Sequence, residues 1–267
     1  MVAAGQRQKM FAFPPALGYN PISFYKEDIP LNRILRMVLG NLFYAPGAFL
    51  KLERYSRNPE RYTREEMYAH IQDIMRHAVA KSNVDLQVKG LENIPMEGGY
   101  MMYANHQGLF DVVALASTFP LPIAAVLKKE LKDVPLLKQF MRCTDSYPMD
   151  REDVRQSLKV IQAVTRAVKE DGRRFIIFPE GTRSKKGNVM GEFHGGSFRC
   201  AVKAKCPILP IAYIDSFKPL DQKGSRPLTV QIHYLPVIPY EEFKDLDTVA
   251  LAALVKQRIQ ECIDANT

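Results

Sequence analysis

The spacing of hydrophobic residues changes from a helical pattern to a strand pattern between Lys81 and Val84. The segment Thr-Arg-Glu-Glu that begins at Thr63 can form a capping box, in which Thr63 and Glu66 bind each other's backbone amides at a helix start. Hydrophobic residues then recur every three or four positions, which predicts a helix as far as about Lys81. From Val84 to Lys89 hydrophobic and polar residues alternate instead, and this alternation predicts a strand.

Strand and helix patterns take turns over the rest of the chain. A long amphipathic pattern that starts near Arg151 predicts a helix ending at Gly172, a residue type that commonly ends helices. Such alternation predicts an α/β fold, in which helices cover a sheet. Further strands are predicted in YMMYA, PIAAVLK, RRFIIF, ILPIAYI and LTVQIHYLPVI, and further helices from about Phe110, in GGSFRCAVKAK and in VALAALVKQRIQECI.

The longest hydrophobic run near the front of the chain is too short to cross a membrane. It extends over 13 residues from Val38 to Leu50, whereas a spanning helix needs about 20. Arginines lie on both sides of it, and Pro46 and Gly47 predict a turn between two short helices. The two helices either lie in a membrane interface or pack on the core with a basic face in solvent.

Composition and charge narrow the class of protein and the kind of partner. Hydrophobic residues make up 46% of the chain and charged residues 25%, which excludes a largely disordered protein. The net charge of +8 favours an anionic partner such as nucleic acid, an acidic membrane or an acidic protein. Between Leu31 and Arg64 there are seven basic residues and two acidic ones. More than half of the net positive charge therefore lies around the hydrophobic run.

The cysteines point to a reducing compartment. They show no paired metal-ligand spacing, and the chain does not open with an apolar run that could serve as a secretory signal. We therefore expect reduced thiols in a protein on the cytoplasmic side of a membrane, and no metal site. The cysteines are Cys143, Cys200, Cys206 and Cys262.

The segment ANHQGLFD places His106 five residues before Asp111, just after a predicted strand. On one regular helix the two side chains would lie about 140° apart. They can meet only if His106 lies on the loop ahead of the helix and Asp111 reaches back to it. The carboxylate would then fix the imidazole tautomer and raise the basicity of the other ring nitrogen, as a general base requires. A loop histidine beside a helix-capping aspartate is the structural alternative.

A second polar segment, FPEGTRS, follows the predicted strand RRFIIF. Gly181 lets the backbone approach a ligand, and Arg183 has the planar geometry that suits a phosphate group. The alternative is a strand-end turn in which Glu180 and Arg183 pair with each other. The two polar segments together are harder to explain as packing than either alone.

These motifs resemble those of the glycerolipid acyltransferases, a family whose commonest members are the bacterial lysophosphatidate acyltransferases. The family's first motif is Asn-His, four residues, then Asp, and it is matched at Asn105, His106 and Asp111. Its third motif is matched at every position by Phe178 to Ser184, and its fourth by the segment CPILPIA. The order and spacing of the motifs make the match specific.

Two further segments match the family less completely. The second motif is present only as YPMDR, in which Asp150 and Arg151 match but the apolar pair before them does not. A Lys-Lys-Glu-Leu segment that is typical of the family runs from Lys128 to Leu131. The resemblance covers the chain from about Val84 to Tyr240.

The resemblance implies a fold and a division of the chain. We expect a mixed α/β sheet flanked by helices, with an amphipathic helical element near the front that attaches the protein to a membrane. Residues 1–82 would be the membrane-association segment and residues 83–267 the catalytic domain. The location implied is the cytoplasmic face of the cell membrane, on an anionic surface, as a peripheral or monotopic protein. No nucleic-acid partner is expected.

The resemblance also implies a reaction. His106 would act as general base on the sn-2 hydroxyl of lysophosphatidic acid, with Asp111 orienting it, and the hydroxyl would attack an acyl thioester to give phosphatidic acid. The donor would be acyl carrier protein or coenzyme A carrying the acyl chain, with no cofactor and no metal. Arg183, supported by Lys128 and Arg151, would bind the acceptor phosphate. Glu180, Gly181 and Thr182 would shape the rest of the site, and the Gly181 amide would help to stabilise the thioester oxyanion.

Other functions remain open from the sequence. The acceptor could be glycerol-3-phosphate or another lysophospholipid, and a thioester or phospholipid hydrolase could use the same histidine and aspartate on water. A basic membrane-binding module without catalysis is a further alternative. His194 and His233 lie near predicted strands without a partner motif, and we interpret them as structural.

Overall fold

A computed structural model describes residues 33–150 and 152–267 of the chain. These residues belong to one compact unit that extends to Thr267. Arg151 and the first part of the predicted membrane-association segment lie outside the described residues. The functional division at residue 82 therefore stays a prediction.

A mixed sheet lies at the centre of the protein. Within the described residues it has seven strands in the order β1-β7-β6-β2-β5-β3-β4. Neighbouring strands run parallel except β6 and β7, which are antiparallel. The mixed sheet predicted from the sequence is thus confirmed. The strands are β1 (Val84–Lys89), β2 (Tyr100–Ala104), β3 (Ala124–Lys128), β4 (Tyr147–Met149), β5 (Arg174–Ile177), β6 (Ile208–Ile214) and β7 (Leu228–Tyr234).

Helices cover both faces of this sheet. Their start and stop signals act as predicted: Thr63 and Glu66 form a capping box, and Gly172 ends α6 in a left-handed conformation. The helices are α1 (Arg33–Gly40), α2 (Ala45–Arg57), α3 (Arg64–Lys81), α4 (Phe110–Thr118), α5 (Leu137–Cys143), α6 (Val154–Asp171), α7 (Arg199–Ala204), α8 (Lys218–Asp221), α9 (Tyr240–Phe243) and α10 (Thr248–Asp264).

The central strands are buried on both faces and divide the core into two layers. On β2, Tyr100 and Met102 pack into the layer formed with α2, α3, α4 and α5, whereas Met101 and Tyr103 pack into the layer formed with α6, α7 and α10. Successive side chains of a strand point to opposite faces, so one short strand contributes to both layers. Because β2 lies between β5 and β6 and is parallel to both, the loops that follow these three strands begin side by side at one edge of the sheet.

The two front helices differ from the sequence prediction at their junction. The turn between α1 and α2 lies at residues 41–44, and Pro46 and Gly47 fall inside the first turn of α2. The predicted turn position was therefore wrong. Proline fits the first helical turn because its missing amide would have no intrahelical partner there. Arg33, one of the seven basic residues counted between Leu31 and Arg64, is buried and donates to the carbonyl oxygens of Pro219 and Arg226.

The helices α1 and α2 present hydrophobic side chains on both sides. Ala48, Leu52 and Tyr55 pack inward on the core, while Phe43, in the turn between the helices, is 99% exposed. In the part of the chain that the structure describes, no helix is long and apolar enough to cross a membrane. The exposed hydrophobic residues of this region are Ile34, Leu35, Val38, Leu39, Leu42, Phe43, Phe49 and Leu50.

Candidate active site

The candidate site lies at the carboxyl ends of β2, β5 and β6. His106 follows β2, Glu180 follows β5, and Ser216 follows β6. Functional groups of α/β proteins are commonly found at this edge of a sheet. The strand order brings together three loops that are far apart in the sequence.

His106 and Asp111 meet in the arrangement that their spacing requires. The loop of residues 105–109 carries His106, and Asp111 is the second residue of α4. The Nδ1 atom of His106 lies 2.7 Å from Oδ2 of Asp111, and the histidine side chain is 22% exposed while that of Asp111 is fully buried. A carboxylate acceptor at Nδ1 selects the tautomer with hydrogen on that nitrogen, so Nε2 can accept a proton from a substrate.

The Asp111 carboxylate is held by several donors besides the imidazole. Its Oδ2 atom accepts from the backbone amides of Gln107, at 2.7 Å, and Gly108, at 3.1 Å. Its Oδ1 atom accepts a hydrogen bond from the hydroxyl of Ser216. These bonds fix the plane of the carboxylate, and through it the orientation of the His106 ring.

Ser216 and Gln107 are site residues that the sequence analysis missed. The Gln107 side chain accepts from the Ser216 amide at 2.9 Å and donates to the carbonyl oxygen of Tyr213 at 3.0 Å. Asn105 makes two further hydrogen bonds to the backbone of Tyr213, of 2.8 and 2.9 Å. The polar motif after β2 is therefore tied to the end of β6. The only sequence signal for Ser216 was a polar residue soon after a buried strand.

Glu180 holds the backbone of His106 and does not pair with Arg183. Its Oε1 atom accepts from the His106 amide and its Oε2 atom from the Gly191 amide, both at 2.7 Å. Burial raises the pKa of the Glu180 carboxyl above its ordinary value, while the two amides act in the opposite direction. The carboxylate thus acts as an anchor for the loop that carries the histidine.

Two more contacts from the same segment fix His106. The ring of Phe178 stacks on the imidazole, with centroids 4.2 Å apart and an interplanar angle of 26°. The Ser184 amide donates to the His106 carbonyl oxygen at 2.9 Å. The imidazole is consequently held on one face and at Nδ1, and both the amide and the carbonyl oxygen of His106 are hydrogen-bonded.

Three of the other predicted binding residues lie on the loop after β5, and Lys128 is the last residue of β3. Gly181 adopts a φ of +74°, and its amide donates to the carbonyl oxygen of Phe178 at 3.1 Å, so an oxyanion would have to share this donor. Thr182 is exposed beside it. Arg183 forms an ion pair with Asp221 at 3.1 Å. Lys128, at the end of β3, is exposed and lies 3.5 Å from Glu130.

Two clefts are lined by residues that contact His106, the first by Phe178 and the second by Glu180. An apolar cleft of about 350 Å³ is lined by Phe178 and Gly181 together with side chains of β3, β5 and α6. A second cleft, of about 330 Å³, is lined by Glu180, Arg183 and Lys186. His194, which we interpreted as structural, lines both clefts. Within the described residues no group of three or more histidine, cysteine or carboxylate side chains is placed to hold a metal ion.

Comparisons with known proteins found sequences similar to this chain. Residues 85–214 match the family model described as acyltransferase. A Saccharomyces cerevisiae protein named 1-acyl-sn-glycerol-3-phosphate acyltransferase is 36% identical over 129 residues, which is 48% of this chain and 42% of that protein. A Pseudomonas aeruginosa protein of the same name is 32% identical over 161 residues, 60% of this chain and 62% of that protein. The chain therefore spans less than two thirds of the length of these relatives.

A solved structure shows the same fold. The crystal structure of the 1-acyl-sn-glycerophosphate (LPA) acyltransferase PlsC from Thermotoga maritima superposes with a TM-score of 0.68. The match covers 88% of this chain and 97% of that chain, at 21% sequence identity. The helix-flanked mixed sheet is thus a fold shared with a solved protein.

Proposed function

We propose that the protein transfers an acyl chain from an acyl thioester to the sn-2 hydroxyl of lysophosphatidic acid, because residues 85–214 match the model of the acyltransferase family and carry the motifs described above. The product would be phosphatidic acid. The observation that carries this proposal is the 2.7 Å hydrogen bond between His106 Nδ1 and the buried Asp111 carboxylate. It leaves Nε2 of a rigidly held histidine to act as a base beside an apolar cleft.

The proposed reaction is a single displacement. His106 Nε2 takes the proton of the acceptor hydroxyl, whose oxygen attacks the thioester carbonyl carbon. The carbon–sulfur bond then breaks, and the leaving thiolate takes the proton back from the imidazolium. Asp111 orients the ring and stabilises its charged form while the proton is held there. General-base catalysis of this kind contributes on the order of a hundred- to ten-thousand-fold to the rate.

The surroundings of the cleft favour direct transfer over an acyl-enzyme. Cys200 borders the apolar cleft, but burial raises the pKa of its thiol to about 12, so the nucleophilic thiolate is scarce at neutral pH. Ser216 is fully buried behind Asp111 and donates to that carboxylate. Neither group is arranged to attack a thioester, which is already activated toward the acceptor hydroxyl.

Arg183 is the proposed partner of the acceptor phosphate. Its ion pair with Asp221 is partly exposed on both sides, and such pairs contribute less than about 1 kcal/mol. A phosphate dianion that binds the guanidinium through two parallel hydrogen bonds can displace the carboxylate. Lys128 and Arg151 are proposed to add positive charge, and Thr182 a hydroxyl, around the same group.

The acyl chain is proposed to occupy the apolar cleft beside Phe178 and Gly181. The side chains of Leu127, Met149 and Ile177 line this cleft. An alkyl chain bound there would place its thioester near the exposed edge of the His106 ring, because Phe178 both stacks on that ring and lines the cleft. The donor is proposed to be an acyl carrier protein or a coenzyme A thioester.

Membrane attachment is proposed to occur through α1, α2 and the turn between them. The exposed hydrophobic side chains of this region, among them Phe43 and Leu50, would insert into an anionic surface on the cytoplasmic face. Arg36, Lys51 and Arg54 are exposed alongside them. The protein would then bind at the interface from which its lipid acceptor comes.

An acyl-transfer assay with purified protein tests this function. We expect phosphatidic acid to form from lysophosphatidic acid with at least one of the two thioester donors, and free thiol to appear at the same rate. Glycerol-3-phosphate as acceptor should react much more slowly. Thiol release that is equally fast without any acceptor would show a hydrolase and contradict the proposal.

A further inference from the structure

The loop between β3 and α5 exposes aliphatic side chains that the structure leaves uncovered. Val134 is 40% exposed and Leu136 is 54% exposed, and Pro135 between them is exposed as well. The loop begins where β3 ends, at the edge of the sheet that carries the candidate active site. None of these three residues belongs to the motifs or to the helices proposed above to contact a membrane.

The backbone of Leu136 is held in a strained conformation without burying its side chain. Its φ is +70° and its ψ is −48°, a region that side chains other than glycine rarely adopt. The Leu136 amide donates to Oε1 of Gln139 at 2.8 Å. Strain in a core residue is usually offset by packing, but more than half of this leucine remains in contact with solvent. The conformation presents the side chain outward.

Gln139 connects this loop to α2. Its Nε2 atom donates to the Glu53 carboxylate at 2.7 Å, and Glu53 is fixed further by Arg57, also at 2.7 Å. Phe49 and Leu50 precede Glu53 by four and three residues on the same helix, so all three lie on one face. Leu136 is therefore tied to the face of α2 that carries exposed Phe49 and Leu50.

Charge around the loop agrees with an anionic surface as partner. Between Lys128 and Lys138 there are four lysines and two acidic residues. Lys132 and Asp133, both exposed, precede the aliphatic tip, so the surplus of positive charge comes from the loop as a whole. The tip itself lacks aromatic residues and arginine, which dominate binding at protein–protein contacts, and consists of aliphatic groups suited to a hydrocarbon layer.

We propose that the tip from Val134 to Leu136 is a second bilayer-contacting element that inserts together with α2, and that the hydrogen bond between Gln139 and Glu53 keeps the two elements in register. This inference rests on the proposed membrane attachment and goes beyond it, because it adds a contact on the catalytic side of the sheet. Two separated contacts fix the tilt of the protein on the bilayer. They would point the sheet edge with His106 toward the lipid.

Cosedimentation of full-length variants with vesicles tests this proposal. The vesicles contain phosphatidylglycerol and phosphatidylcholine in equal amounts, and the variants are Leu136→Gly and Val134→Ser. Glycine accepts a positive φ, so Leu136→Gly should keep or raise the melting temperature. We expect each variant to bind the vesicles more weakly, with a loss on the order of tenfold for Leu136→Gly. Activity on a short-chain monomeric acceptor should not change.

Val249→Ser is the matched control, because Val249 is 71% exposed on α10, which packs on the opposite face of the sheet. It should leave vesicle binding unchanged. Unchanged vesicle binding by folded Leu136→Gly and Val134→Ser would overturn the proposal. Variants that keep vesicle binding but lose self-association would also overturn it. The result does not depend on the reaction, since failure of the proposed function would appear as absent transfer by the wild type with vesicle binding intact.

Discussion

Glu180 and His106 are joined by a 2.7 Å hydrogen bond from the histidine amide to the glutamate carboxylate, across 74 residues of sequence. The second carboxylate oxygen is occupied by the Gly191 amide. Glu180 is therefore placed to hold the loop that carries the proposed base. We assign it a positioning role and leave proton transfer to His106.

The pH dependence of stability should reveal the buried Glu180 carboxyl. Burial raises its pKa above the ordinary value of 4.5, so the folded protein binds this proton more tightly than the unfolded chain does. The contribution of Glu180 to stability is then largest at low pH and is lost as pH rises through the folded-state pKa. Glu180→Gln cannot titrate. We expect the melting temperature of the wild type, relative to that of Glu180→Gln, to rise as the pH is lowered from about 7 to about 5. A relative fall over the same range would contradict this assignment.

Removal of the Ser216 hydroxyl should slow the reaction without altering substrate binding. Ser216→Ala leaves one oxygen of the buried Asp111 without its hydroxyl donor. A hydrogen bond to a charged group contributes about 1.5 kcal/mol, which corresponds to roughly a tenfold lower kcat. Ser117→Ala is the control, because Ser117 is a buried serine of α4 that donates to a backbone carbonyl instead. Equal kcat values for the two variants would show that Ser216 does not position Asp111.

Much of the fold could be predicted from sequence, and the reasons differ between elements. The bounds of β2 and β6 match the predicted segments because both are short hydrophobic runs limited by polar or turn residues. The turn before α2 was misplaced because Pro46 and Gly47 fit the first turn of a helix as well as a turn between helices.

The partners within the site depended on strand order, which periodicity does not encode. Ser216 lies 105 residues after Asp111 in sequence, and they meet only because β6 pairs with β2. For the same reason Arg183 was considered as a partner of nearby Glu180, whereas the structure pairs it with Asp221. The pairing of His106 with Asp111 could be predicted because both residues belong to one short segment.

Arg183→Lys should weaken acceptor binding more than donor binding. A lysine keeps the charge but loses the planar arrangement of donors that matches a phosphate. We expect the KM for lysophosphatidic acid to rise several-fold while that for the thioester stays near the wild-type value. Arg166→Lys is the control, since Arg166 is an exposed arginine paired with Glu170 on α6. An unchanged acceptor KM would move the phosphate site toward Lys128 and Arg151.

Replacing Leu42, Phe43 and Phe49 with serine should release the protein from membranes. All three side chains are exposed, so the triple variant should fold. Each basic residue near an anionic surface contributes at most about 1 kcal/mol, and high salt should therefore loosen the wild type only in part. We expect the triple variant in the soluble fraction, with low activity on bilayer substrate and normal activity on a short-chain monomeric acceptor. Persistent membrane binding, or unfolding of the variant, would favour core packing as the role of these helices.

The most direct test of the central claim is the initial rate of phosphatidic acid formation from lysophosphatidic acid by His106→Ala, compared with the wild type. The histidine is the proposed base, so its removal should lower the rate by roughly a hundred- to ten-thousand-fold. The melting temperature and vesicle binding should remain close to those of the wild type. The His106 side chain is partly exposed, and Glu180 binds the backbone of His106 and not its side chain. A folded variant that forms phosphatidic acid at nearly the wild-type rate would contradict the account.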